Sequence, residues 1–123
     1  MDEGADIILP VAGPVGLGAA AAVQDRGNAY LIGVDTDWTV SAPEYADIVL
    51  TSIEKRLDLS VLSAVKAIAN GEFAGGLQVS TLENGEIGIS DFHGLSAMVT
   101  EEVKADLEQI TADIIAGTIK TKP

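Results

Sequence analysis

The chain has 123 residues, 47% of them hydrophobic but only 4% aromatic, and 19 acidic against seven basic side chains give a net charge of -12. That length fits one domain around one core. The charge repels phosphate backbones and so argues against nucleic-acid binding, and the lack of any cysteine removes disulfides, thiolate nucleophiles and cysteine-based metal sites.

Ile7-Ile8-Leu9-Pro10-Val11 is a short apolar run ended by Ala12-Gly13-Pro14, which predicts a buried strand feeding a loop. A helix follows from about Val15 through the Ala19 to Val23 stretch, and Gly27-Asn28 stops it. Tyr30 to Val34 reads as the second strand, and Asp35-Thr36-Asp37 begins a loop continuing past Pro43. Asp47 to Ser52 is the third strand, with Thr51 and Ser52 marking its carboxyl end.

Beyond it, Leu59, Leu62, Val65 and Ala69 recur at helical spacing behind Asp58, an expected N-cap, with Gly71 as the stop. Two runs, Gly76 to Leu82 and Glu86 to Ser90, flank Glu83-Asn84-Gly85 and predict an antiparallel hairpin, because Asn-Gly favours tight strand reversal. Thr100 caps a last helix with Glu101 and Glu102 in its first turn and Val103, Leu107, Ile110 and Ile114 on one stripe. Gly117 ends it, and Lys120 and Lys122 complement its carboxyl terminus.

This order predicts an α/β fold: a parallel sheet with helical crossovers, then a β-hairpin and a terminal helix. Parallel strands gather the loops at their carboxyl ends along one edge, where open α/β sheets bind ligands. Gly13, Asp35, Asp37, Trp38 and Lys55 are therefore the expected ligand-binding residues. The Gly13 loop lets a ligand approach backbone amides or simply permits a tight turn. Asp35 and Asp37 suit a sugar diol, since a carboxylate accepts from two neighbouring hydroxyls, and Lys55 adds a donor; the alternative is an ion pair that only offsets charge. Trp38 either stacks on a base or packs in a core. His93, the single histidine, has no neighbouring nucleophile pattern, so no catalytic triad is supported, no enzyme is expected and no cofactor or metal is implied.

Gly4 to Gly13, Gly16-Leu17-Gly18, Ile32-Gly33-Val34-Asp35-Thr36-Asp37, Val49-Leu50-Thr51-Ser52 with Lys55-Arg56, and Gly71 to Gly76 together resemble the basic membrane protein family. These are substrate-binding lipoproteins of ABC importers, many of them purine-nucleoside receptors with a type I periplasmic-binding-protein fold. The resemblance implies a ligand held between two lobes, ribose hydroxyls bound by the Gly13 loop and by residues matching Asp35 and Lys55, with Asp37 a weaker match. It also implies a permease partner and an extracytoplasmic, membrane-anchored full-length protein. Pro14-Val15 departs from the Gly-Thr that the family often has there, which removes one amide donor.

The similarity matches only the last part of such a receptor. Met1-Asp2-Glu3-Gly4 begins no export signal and no run reaches the ~18 apolar residues of a membrane span. A partial chain missing its amino-terminal lobe is therefore expected, whether a truncation, an internal-start product or a proteolytic remnant, and with it self-association through uncovered apolar surface. Two other readings stand beside the receptor. A dinucleotide-binding enzyme domain would use the glycine-rich loop and Asp35, but Gly13, Gly16 and Gly18 give G-x-x-G-x-G and miss the Rossmann fingerprint. The other is a self-associating fragment with no small ligand.

Overall fold

A computed structural model describes residues 1–121, so Lys122 lies outside the described residues. Four strands form one sheet in the order β1-β2-β3-β4: β1 (Ile7–Ile8), β2 (Tyr30–Asp35) and β3 (Val49–Lys55) run parallel, and β4 (Ile87–Ile89) is antiparallel to β3. The crossovers are α1 (Gly16–Arg26) between β1 and β2 and a short α2 (Trp38–Ser41) between β2 and β3. Two longer helices follow, α3 (Leu57–Ala69) before β4 and α4 (Glu101–Ile115) at the end. The architecture is the expected α/β lobe with a mostly parallel sheet.

The core is small and lies between α1, α2 and one face of β2 and β3. Ala20 and Val23 of α1 meet Ala29, Leu31, Trp38 and Val49 there, with Ile8, Tyr45 and Ile48 packed around them. Trp38 fits because two glycines make room. A Cβ on Gly33 would stand 2.7 Å from the indole Cγ, and one on Gly16 would stand 3.1 Å from the far edge of the ring. Either methyl would overfill the core, which costs about 1–3 kcal/mol in a well-packed interior. Gly27 ends α1 as expected, in the left-handed conformation at φ 65° with its amide bonded to Val23 O.

Several elements differ from their sequence-based bounds. β1 stops at Ile8, and Pro10 has no amide to extend the ladder. The predicted loop after Asp37 contains α2 and a 3-10 turn at Pro43–Tyr45, because Asp37 caps the helix that Trp38 begins. β3 runs on to Lys55, so Thr51 and Ser52 are buried mid-strand residues and do not mark its end. Their hydroxyls are satisfied internally: Thr51 Oγ1 donates to Ser90 O at 2.7 Å, and Ser52 Oγ accepts from the Trp38 amide at 3.1 Å. Leu50 is an extra residue between the pairs Leu31-Val49 and Ile32-Thr51, so the two ladders slip by one there.

Asp58 is not the cap of α3; Arg56 holds that position and its guanidinium pairs with Asp58 inside the first turn. The expected hairpin does not form. Ile87–Ile89 pairs with β3, whose edge was open to it, and residues 76–82 form no strand. Asn84 instead ties a local loop with its side chain, accepting from the Thr81 and Glu86 amides at 3.0 and 3.1 Å and donating to Val79 O. In α4 the cap is as expected, Thr100 Oγ1 accepting from the Val103 amide at 3.3 Å, while the helix ends at Ile115, two residues before Gly117. Its last turn holds no basic residue.

Candidate functional site

The carboxyl ends of β1, β2 and β3 bring their loops together as parallel topology requires. The chain turns after β1 through a 3-10 turn at Gly13–Val15, where Gly13 takes φ 55°, and enters α1 with no side-chain cap. No heavy atom lies within 4 Å of where a Gly13 Cβ would be, so the backbone there faces open space. The Gly16 amide is already used, bonding back to Gly13 O and Pro14 O. The first turn of the helix thus offers fewer free donors than a simple glycine-rich loop would.

Asp35 ends β2 in the left-handed region at φ 76°. Such a conformation costs on the order of 1 kcal/mol or more for a residue with a side chain, and aspartate tolerates it better than most. Its Oδ1 lies 2.7 Å from Lys55 Nζ, the ammonium at the end of β3, and both side chains remain about half exposed. The approach is that of an ion pair and not of a directed hydrogen bond, so Oδ1 is shut off from solvent by the ammonium yet accepts no aligned donor. An exposed pair of this kind is worth ~0–1 kcal/mol, which does not clearly repay the backbone strain.

Gly13, Asp35, Thr36 and Trp38 line one depression of about 220 Å³; Lys55 is not part of its lining but pairs with Asp35 beside it. Trp38 itself is 6% exposed, its indole Nε1 donating to Val34 O at 3.0 Å. Of the two roles open to it, the geometry is that of a core residue whose ring face is covered. Asp37 is turned elsewhere. Its Oδ1 accepts from the Thr39 amide and hydroxyl at 2.9 and 2.8 Å, and its Oδ2 lies 2.8 Å from His93 Nε2. Burial raises the Asp37 pKa, but the Thr39 and His93 hydrogen bonds outweigh it and hold the carboxyl below its ordinary range.

The Asp37-His93 pair joins residues 56 positions apart, and sequence reasoning missed it. The one local sign of an unusual role for His93 is seen only in the backbone, at φ 41°. A larger hollow of about 670 Å³ lies between residues 89–93 and α4, lined in part by Asp91, His93, Lys104 and Glu108. It contains none of the five expected ligand residues, so chemistry and not volume selects the smaller depression. Among the described residues no cluster of three or more His, Asp or Glu stands close enough to hold a metal, and no helix is long and apolar enough to cross a membrane.

Residues 1–122 match the model of the family described as ABC transporter substrate-binding protein, PnrA-like. An uncharacterized lipoprotein of Pyrococcus abyssi is 29% identical over 98% of this chain and 30% of its own length. The CD4+ T-cell-stimulating antigen of Listeria monocytogenes is 31% identical over 96% of this chain and 36% of its own. Among solved structures, an ABC transporter solute-binding protein from Aeropyrum pernix superposes with a TM-score of 0.77 at 24% identity, covering 97% of this chain and 40% of that one. A transcriptional activator of the comK gene from Bacillus halodurans gives a TM-score of 0.82 at 19% identity, over 98% and 40%. The chain therefore spans about a third of the length of the curated relatives it matches.

Proposed function

The chain belongs to the PnrA-like family of ABC transporter substrate-binding proteins, and we propose that it forms one wall of a site for a purine nucleoside or similar ribose-bearing solute, as the carboxyl-terminal portion of a two-lobe receptor. The observation that carries this reading is the Asp35-Lys55 pair beside the open Gly13 backbone at the shared edge of the sheet. With Oδ1 covered by the ammonium, the pair still offers a vicinal diol Asp35 Oδ2 as an acceptor and the remaining N–H groups of Lys55 as donors. The strained Asp35 backbone supports the same reading, since strain that local contacts do not repay tends to collect at binding sites.

The size of the depression supports a shared site. At about 220 Å³ it falls below the ~300–1,000 Å³ of pockets that enclose a whole small ligand, so it suits a pentose while the base requires a second wall. In the full receptor the ligand passes to a membrane permease. The description of the Pyrococcus relatives as lipoproteins supports a tethered, extracytoplasmic site of action. Asp37 then serves the site by holding the β2 end in place, while Trp38, packed in the core, closes one side of the depression.

The test is an NMR titration of the labelled chain with adenosine, guanosine and inosine, with NAD and a 2′,3′-dideoxynucleoside as controls. Amide shifts centred on Gly13, Asp35, Thr36 and Lys55 are expected, with a dissociation constant of order 1 mM, about -4 kcal/mol, for half a site. Asp35→Ala and the dideoxy compound should each weaken binding at least tenfold. Equal affinity for the dideoxy compound, or binding of NAD alone, would overturn the ribose grip.

A further inference from the structure

α2 is a single turn of helix, and with its C-cap it supplies Trp38, Ser41 and Ala42 to the lining of the depression beside Asp35. The Ser41 hydroxyl also stands 2.9 Å from that of Thr36, a further lining residue. The placement of this turn therefore shapes the wall of the depression. Four residues do not hold a helix by themselves, because nucleating the first turn costs more than its few hydrogen bonds return. The turn depends on anchors from elsewhere.

Two of those anchors lead back to residues 90–93, in the connection between β4 and α4, and they reach consecutive residues of the turn. On the first route the Trp38 amide donates to Ser52 Oγ, and the Ser52 amide donates to Ser90 Oγ at 2.9 Å; both serines are buried. On the second, His93 Nε2 lies 2.8 Å from Oδ2 of Asp37, the N-cap of α2. Asp37, whose pKa is depressed, is ionised at neutral pH and has no proton to give, so the imidazole is the donor. With Thr39 on one oxygen and His93 on the other, the cap carboxylate is held at both ends. Among the described residues that carry a side chain, only Asp35 and His93 have positive φ, and they stand at the two ends of this link. Strain of that kind persists where surrounding contacts over-determine it.

We propose that His93 is a positioning residue for the solute edge: by donating to Asp37 it fixes the cap of α2, and through that cap the wall formed by Thr36, Trp38 and Ser41. His93 does not itself line the depression. Its consequence for affinity rests on the ribose reading above, whereas the latch does not. The buried Ser90 route is separate from it, so the fold stands without the imidazole.

NMR of the labelled chain, free and titrated with adenosine, tests the proposal. Nitrogen correlation spectra of the ring should show a proton on Nε2; an unprotonated Nε2 overturns the latch. His93→Ala should keep the parent's circular dichroism spectrum, move the amides of Thr36, Trp38 and Ser41 in the free chain, and weaken binding about five- to tenfold. His93→Gln, whose side-chain amide can donate to Asp37, should bring both back to within about twofold of the parent. With Asp37→Ala already in place, His93→Ala should cost nothing further. A loss that glutamine does not rescue, or that persists in full without Asp37, overturns the positioning role, as does unfolding of His93→Ala. If the parent binds no nucleoside, the ribose reading falls and the free chain still decides the latch: amide changes reversed by glutamine support it, and unchanged amides overturn it.

Discussion

The first 55 residues and the rest of the chain are built from similar sequence and end up in different physical states. Every fully buried apolar side chain among the described residues lies between Ala20 and Val49, whereas α3 and α4 bury none. Yet α3 and α4 are the longer helices, 13 and 15 residues against the 11 of α1, and both have clear apolar periodicity. Periodicity therefore establishes that a helix has an apolar face. It does not establish that the same polypeptide supplies the surface to cover it.

The contrast is testable as a difference in energetic weight. Trp38→Ala should be the most damaging change, costing about 3–5 kcal/mol in urea unfolding, because it empties the centre of the buried apolar cluster and removes the hydrogen bond to Val34 O. A loss below 1 kcal/mol would mean that the core is not where the stability resides. Asp37→Asn is intermediate. The Asp37 pKa is depressed in the folded protein, so its contribution is present above the unfolded value of ~3.9 and is lost as pH falls below that toward the folded value. The variant should show a shallower loss of stability than the parent as pH falls below about 4, and its cost at neutral pH should come from the weaker bond to His93, since Asn caps a helix about as well as Asp. Parallel acid-unfolding curves would remove Asp37 from the account. Ile110→Ala on α4 should change stability by no more than about 0.5 kcal/mol. A cost of 2 kcal/mol would show that α4 is packed against something and would erase the contrast.

What could be read from sequence sorts by distance along the chain. The Gly27 stop of α1 and the Thr100 cap of α4 were legible because each acts within four residues. The pairing of Ile87–Ile89 was not, because the choice between a neighbouring run and the open edge of β3 depends on residues more than 30 positions away. For the same reason Thr51 and Ser52 looked like a strand end: nothing nearby announces that Ser90 will receive them. The site divides likewise. Parallel topology placed Gly13, Asp35 and Lys55 on one edge, which strand order alone implies. The burial of Trp38 depends on the missing side chains of Gly16 and Gly33, and the engagement of Asp37 on His93, so neither was open to local reasoning.

Both margins of the sheet are brief: β1 contributes two residues before Pro10, and β4 three. A short edge offers few unpaired amides and carbonyls to an incoming strand, and proline withholds one more, so neither margin is a good template for cross-β growth. A chain with so much apolar area in water would otherwise be at risk of forming fibrils. Its exposed apolar side chains are spread over helices, loops and strands, so the short, proline-stopped margins are what limit strand-to-strand growth.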